Sequence, residues 1–158
     1  MFTQTLQLLS GIPIDMVDQS QDQRVQQAIE LFFFAYRSFT AVPDQILQEK
    51  GLGRVHHRIL YFVGRNPKLN INELLQILGV SKQALNAPLR KLTELGLIEV
   101  ETASHDRLVN QLSLSKAGAK LETQLTQSQT QHLARAFRRC GDKALDGWIK
   151  IMQSLPTA

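Results

Sequence analysis

Apolar side chains recur at helical spacing in two stretches of the first half of the chain. In residues 24–41 the spacing predicts a long first helix, whose central LFFFAY is apolar nearly all round. Such a helix needs cover on more than one face, which predicts a partner helix from a second chain. Pro43 and Asp44 predict a break or kink followed by a short helix that ends near Gly51. Residues 53–65 predict a second amphipathic helix.

Residues 69–97 predict two helices joined by a tight turn. Asn70 and Glu73 have the spacing of a capping box, so a helix is expected to begin there. Gly79 suits the left-handed conformation of a helix end, and Ser81 is a good cap for the next helix. This arrangement is the layout of a helix-turn-helix. The inward stripe of the second helix is Leu85, Leu89, Leu92 and Leu95.

The opposite side of this second helix is polar. Glutamine, asparagine and arginine side chains can hydrogen-bond base edges, and lysines hold phosphates. The polar side comprises Gln83, Asn86, Ala87, Arg90 and Glu94, flanked by Lys82 and Lys91. Pro88 lies inside the helix and leaves the carbonyl of Ala84 without its usual donor, so a kink is expected there.

The period of the pattern changes from helical to alternating after Gly96. Residues 98–102 and 108–114 alternate around a turn at residues 104–106, which predicts a β-hairpin following the helix-turn-helix. A hairpin in this position makes the module a winged helix. Helical spacing returns from Ser115 to Leu155 and predicts two helices, which are separated at Gly141 and Asp142. The predicted fold class is therefore mainly α with a small β-hairpin wing.

Charge is distributed unevenly along the chain. Residues 1–49 carry two basic and six acidic side chains, whereas residues 50–95 carry eight basic and two acidic ones. A positive segment that coincides with the helix-turn-helix suits a polyanion such as DNA. The alternative is that these cations only solvate helix faces.

Composition narrows the class of protein further. The chain has 158 residues, of which 43% are hydrophobic and 20% charged, which is typical of a globular protein. The single cysteine, Cys140, cannot form an internal disulfide, and the N-terminus lacks a basic secretory start, so a cytoplasmic location is expected. The sequence has no Gly-rich phosphate loop, metal-ligand cluster or nucleophile elbow, and we expect no enzymatic activity, no cofactor and no metal.

The order of these elements resembles the MarR family of bacterial regulators over roughly residues 24–155. The resemblance is carried by INELLQILGVSKQALNAPLRKLTELGLIEV and HDRLVNQLSLSKAG. It implies a homodimeric winged helix-turn-helix regulator with an N-terminal dimerisation region at 1–50, a DNA-binding domain at 51–116 and C-terminal dimerisation helices at 117–158.

The resemblance also implies roles for individual residues. One recognition helix of the dimer enters each major groove of a pseudo-palindromic operator, and a wing arginine reaches the minor groove. The residues implied to bind DNA are Ser81, Lys82, Gln83, Asn86, Ala87, Arg90, Lys91 and the wing residue Arg107. Arg107 follows Asp106 directly, one position earlier than the arginine of the family pattern.

Effector binding and protein interaction are two further functions that this sequence could serve. The resemblance implies that a small ligand or an oxidised cysteine relieves DNA binding. The candidate pocket for a ligand is Phe33, Tyr36 and His56, although a dimer core explains the aromatic residues more simply. The alternative to DNA binding is a winged helix that serves as a protein-interaction adaptor. Such an adaptor is expected to lack salt-dependent affinity for duplex DNA.

Overall fold

The computed structural model describes residues 14–103 and 106–155. Its elements in chain order are α1 (Ile14–Gln48), α2 (Arg54–Arg65), β1 (Leu69–Asn70), α3 (Ile71–Leu78), α4 (Lys82–Glu94), β2 (Ile98–Ala103), β3 (Asp106–Leu114), α5 (Lys116–Cys140) and α6 (Asp142–Ser154). The described residues are mainly helical and contain one small antiparallel sheet. The predicted fold class, mainly α with a hairpin wing, is confirmed.

The chain divides into two compact units, Met1–Ser38 and Phe39–Ala158. The described part of the first unit is a length of α1 whose large apolar side chains face solvent. These exposed side chains are Val25, Ile29, Leu31, Phe32, Phe33, Phe34 and Tyr36. Contiguous apolar surface of this kind is typical of an interaction site rather than of a free helix.

The second unit contains the hydrophobic core. Its buried side chains come from every element between the end of α1 and the first half of α5. They are Leu47, Leu52, Ile59, Leu60, Val63, Leu69, Leu74, Leu85, Leu89, Leu92, Ile98, Leu112, Leu121 and Leu125. Helix α2 lies at the centre of this unit, because it packs against α3, α4, α5 and β3.

Local chemistry fixes the ends of the two helices of the helix-turn-helix. The Asn70 side chain accepts from the Glu73 amide at 3.0 Å, and the Glu73 carboxylate accepts from the Asn70 amide at 2.8 Å. This confirms the predicted capping box. Gly79 ends α3 with φ 62° and ψ 34°, a left-handed conformation that glycine adopts without strain. The Ser81 hydroxyl then accepts from the Ala84 amide at 3.2 Å, as predicted for a cap of α4.

The sheet has the strand order β1-β3-β2. In the hairpin, Ile98 is paired with Leu114 and Val100 with Leu112, with an irregularity after Thr102. The predicted hairpin is confirmed, and Asp106 belongs to β3 rather than to the turn. Ser104 and His105, also predicted as turn residues, lie outside the described residues. Strand β1, which sequence reasoning missed, adds a third strand at the base of the wing.

The predicted break at Pro43 is wrong, because α1 continues through it to Gln48. Thr40, Pro43 and Leu47 are all buried, and their spacing places them on one face of an uninterrupted helix. Packing of this face offsets the hydrogen bond that proline cannot make. Asp44 does not begin a new helix but forms an ion pair with Arg54 at 2.6 Å.

Helix α4 also continues through its internal proline, Pro88. Leu85, Leu89 and Leu92 are buried as predicted, but Leu95 is wrong as a member of the inward stripe, because half of it is exposed. The helix ends at Glu94, so Leu95 no longer follows the helical spacing that would bury it. Any bend of the axis at Pro88 stays a prediction.

The C-terminal part of the second unit is a pair of helices separated at Gly141, as predicted. At the start of α5, the Ser115 hydroxyl accepts from the Gly118 amide at 3.0 Å and donates to the Gly96 carbonyl at 2.6 Å. This cap joins α5 to the turn between α4 and the wing. Across the described residues, no helix has the apolar length that crossing a bilayer requires.

Candidate nucleic-acid interface

The polar side of α4 is free of the protein's own core. Leu85, Leu89 and Leu92 turn one side of the helix inward, and the polar positions on the other side face solvent. All seven predicted residues from Ser81 to Lys91 are exposed: Ser81, Lys82, Gln83, Asn86, Ala87, Arg90 and Lys91. Two of them, Ser81 and Lys82, lie at the N-terminal end of α4, where free backbone amides attract anions.

Arg90 has only a weak partner on this surface. Its guanidinium lies 3.5 Å from the carboxylate of Glu94, one turn further along α4, and both side chains are more than 60% exposed. An exposed pair at this spacing contributes about 0.3–0.5 kcal/mol, which is less than a bidentate contact with a base. Arg90 can therefore exchange Glu94 for a nucleic-acid partner at little cost.

Lys91 differs from the other basic residues of α4. Its ammonium donates to the carbonyl oxygen of Gly51 at 2.5 Å, in the turn between α1 and α2. Lys82, in contrast, has no ion-pair partner among the residues that the structure describes. Two lysines that sequence reasoning treated alike therefore have different surroundings.

A polar cleft of about 370 Å³ lies beside the N-terminal end of α4. Its walls include Asn72 and Gln76 from α3, Lys82 from α4 and Asn110 from β3. Sequence reasoning did not single out these three amide side chains, because they come together only when the wing folds against α3. The cleft thus joins α3, the start of α4 and the wing in one surface.

Part of the positive charge of residues 50–95 is neutralised within the protein. Arg54 binds the Asp44 carboxylate, and Arg65 binds Glu122 at 2.6 Å while its guanidinium stacks on the Tyr61 ring at 3.5 Å. These two arginines support the packing of α2 against its neighbours. Three of the six basic residues that remain in residues 50–95 belong to α4: Lys82, Arg90 and Lys91.

The predicted wing contact falls on Arg107 in β3. The backbone of this residue belongs to the hairpin, but its side chain lies outside the described residues. Its role therefore stays a prediction.

The residues predicted for an effector pocket lie in separate units. Phe33 and Tyr36 belong to the first unit, in which their side chains are 70% and 49% exposed. His56 belongs to the second unit, where its Nδ1 accepts from the Gly53 amide at 3.0 Å and caps the start of α2. The pKa of His56 is lowered, mainly by burial and also by the positive charge of Lys91. The effector pocket stays a prediction.

His57, which follows His56 directly, points into the core. Only 9% of it is exposed, and its Nε2 atom is buried without a hydrogen-bond partner among the described residues. Burial lowers the pKa of His57, while the nearby carboxylates of Glu122 and Asp44 raise it and Arg65 lowers it. No group of three or more metal-ligating side chains occurs in the part of the chain that the structure describes.

Comparison with known proteins agrees with this arrangement. The MarR family model matches residues 50–107, which include α2, the helix-turn-helix and the first strand of the wing. The HTH-type transcriptional regulator PetP of Rhodobacter capsulatus is 39% identical over 134 residues, which cover 85% of this chain and 81% of that protein. This level of identity over most of both chains establishes the family.

Solved structures show the same fold at lower identity. FabT of Streptococcus pneumoniae, solved in complex with DNA, has a TM-score of 0.72 at 16% identity, covering 82% of this chain and 92% of its own. The repressor CouR, bound to a 23-mer DNA duplex, has a TM-score of 0.63 at 20% identity, covering 92% and 98%. With its helix-turn-helix, wing and exposed polar face on α4, the chain belongs to the MarR family of transcriptional regulators, which are not enzymes.

Proposed function

We propose that this regulator binds duplex DNA sequence-specifically as a homodimer, with α4 of each subunit in a major groove. The observation that carries the proposal is the face of α4, on which amide, guanidinium and ammonium groups are exposed opposite a buried leucine stripe. The fold is shared with FabT and CouR, which were solved with DNA.

The contacts divide by chemistry. Gln83, Asn86 and Arg90 have the donor and acceptor groups that distinguish base pairs in the major groove, and Ala87 offers an apolar contact to a thymine methyl group. Ser81 and Lys82, together with the amides of the neighbouring cleft, hold the DNA backbone and carry no base preference. Arg107 of the wing is proposed to contact the adjacent minor groove.

The homodimer is supported by the exposed apolar surfaces. The first unit exposes a row of aromatic and aliphatic side chains on α1. In the second unit, α6 exposes Trp148, Ile149 and Ile151, and Leu155 directly after it is also exposed. Leaving these surfaces in water costs free energy that burial against a second copy recovers, at about 25 cal/mol per Å². Two copies related by a twofold axis would present two α4 helices to one duplex.

Regulation by a small molecule completes the proposal. Phe33, Tyr36 and His56 remain its candidate contacts, as the sequence predicts. What supports this part is the chemistry of the side chains, which offer aromatic surface and a titratable ring, rather than a described cavity.

The experiment that tests the proposed function is selection of bound sequences from a random pool of duplex DNA by the purified chain. We expect enrichment of a pseudo-palindrome whose half-sites lie about one helical turn, 10–10.5 base pairs, apart. Affinity for the selected duplex should fall steeply as salt rises. Enrichment of a single half-site would contradict the homodimer, and binding without salt dependence would favour the protein-interaction adaptor.

A further inference from the structure

Lys91 joins α4 to a part of the chain far away in sequence. Its Nζ atom donates to the Gly51 carbonyl across 40 residues, at a distance of 2.5 Å. Gly51 has φ 65°, and a Cβ atom placed on it would lie 3.6 Å from the same Nζ. The ammonium therefore rests directly on the turn after α1.

The turn that Lys91 contacts follows directly after the C-terminal end of α1. The amides of Lys50 and Gly51 donate to the carbonyls of Leu47 and Gln48 at the end of α1. The C-terminal end of a helix carries partial negative charge, so a cation is favoured at this position. Lys91 supplies that cation from α4.

A second observation places the Lys91 charge at the start of α2. The positive charge of Lys91 is one of the causes that lower the pKa of His56. The His56 ring is itself fixed, because its Nδ1 accepts from the Gly53 amide. Lys91 therefore lies close to both the end of α1 and the start of α2.

The rest of the contact between α4 and the core is apolar. Leu85, Leu89 and Leu92 bury the helix, but apolar contacts are not directional and set its rotation only loosely. A charge-assisted hydrogen bond is directional and short, so it adds a fixed point next to Leu92.

We propose that Lys91 is a positioning residue, which fixes the orientation of α4 through the Gly51 carbonyl instead of binding a DNA phosphate. The inference rests on the proposed function, since orientation matters only if α4 reads DNA. It replaces the phosphate-binding role that sequence reasoning gave to Lys91. Lys82, on the same helix, keeps that role.

The first test compares Lys91→Met with Lys82→Met as its matched control. Affinity is measured between about 50 and 200 mM salt for the selected duplex and for a random-sequence duplex. Lys91→Met should lower affinity for the selected duplex about tenfold, with the salt slope almost unchanged. Lys82→Met should lower the slope by about 0.9 on both duplexes, as loss of one phosphate contact requires. Lys91→Arg, which can still donate to a carbonyl, should restore most of the affinity.

The second test needs no DNA. Titration of the His56 ring by NMR should show a higher pKa in Lys91→Met than in the parent, because a nearby positive charge is lost. Lys82→Met should leave the His56 titration as it is in the parent. A salt slope lowered by about 0.9 in Lys91→Met would overturn the proposal, as would an unchanged His56 titration. If the parent itself binds no DNA, the proposed function fails, while the His56 titration still decides whether the contact exists.

Discussion

Gly118 lies where the first turn of α5 passes the backbone of Leu97. A Cβ atom at this position would be 1.9 Å from the Leu97 carbonyl oxygen. This clash is with the backbone, so backbone atoms would have to move to relieve it. The same carbonyl accepts from the Ser115 amide at 3.2 Å, so such a movement would disturb the cap of α5 as well. Glycine is required here for close approach rather than for an unusual φ.

We expect Gly118→Ala to lower the free energy of unfolding by about 1–3 kcal/mol, through overpacking between α5 and the start of the wing. The control is Gly147→Ala within α6, where a new Cβ atom would meet nothing within 4 Å. That substitution should raise the free energy by about 0.5–1 kcal/mol, because alanine favours a helix over glycine. Urea denaturation measures both, and equal effects would contradict the close approach at Leu97.

Individual residues were predictable where their partners are close in sequence. The caps at Asn70 and Ser81 and the left-handed end at Gly79 follow from side-chain chemistry within four residues. The contact of Lys91 with Gly51 spans 40 residues, and no local pattern signals it. His56 is an intermediate case. It lies only three residues after the Gly53 amide that it caps, but this spacing was not recognised as a capping signal in the sequence.

At the scale of elements, hydrophobic periodicity predicted α2, α3, α4 and the wing, because each buries one face in the same core. The break predicted from Pro43 was wrong, because burial of the proline side chain outweighs the helix-breaking tendency of its ring. Strand β1 was missed because it has only two residues and pairs Leu69 with Leu112, far along the chain. An element this short has no period of its own.

Packing of α2 against α5 makes stability depend on pH through His57. Its Nε2 atom is buried without a partner, and the carboxylates of Glu122 and Asp44 that would favour a charged ring already bind Arg65 and Arg54. Burial, the largest cause, lowers the pKa of His57 in the folded protein below 6.5. The unfolded chain therefore binds the proton more readily than the folded protein. The contribution of neutral His57 to stability is fully present above about pH 6.5 and is lost as the pH falls below that value.

We expect the free energy of unfolding to decrease below pH 6.5 by at most about 1.4 kcal/mol per pH unit for this histidine. His57→Phe should show a smaller pH dependence, measured by urea denaturation at several pH values. An unchanged slope in His57→Phe would show that protonation of His57 does not oppose folding.

At the scale of the whole molecule, counting charges along the sequence overestimated the number of cations without an internal partner. The eight cations of residues 50–95 include Arg54 and Arg65, which form internal ion pairs, and Lys91, which binds a carbonyl. Which cations remain available depends on distant parts of the chain, so it could not be predicted from the sequence. The predicted division at residues 50 and 116 stays a prediction, as does the homodimer.

The family could be identified because helix-turn-helix and wing follow each other within one continuous stretch. Element order, caps and the leucine stripe are all local, and together they specify the module before any long-range contact is known. The cleft that joins Lys82 to Asn110 is different, since it requires the wing to be folded against α3. The fold was thus more predictable than the extent of its interface.

The most direct measurement for the exposed face of α4 is the affinity of Arg90→Ala for the selected duplex, with Arg135→Ala, an exposed arginine on α5, as control. Arg90→Ala should lose about 1–3 kcal/mol of binding free energy and relax the preference for one base pair, while Arg135→Ala should bind like the parent. If Arg90→Ala binds as tightly and as selectively as Arg135→Ala, the assignment of α4 as the recognition helix is wrong.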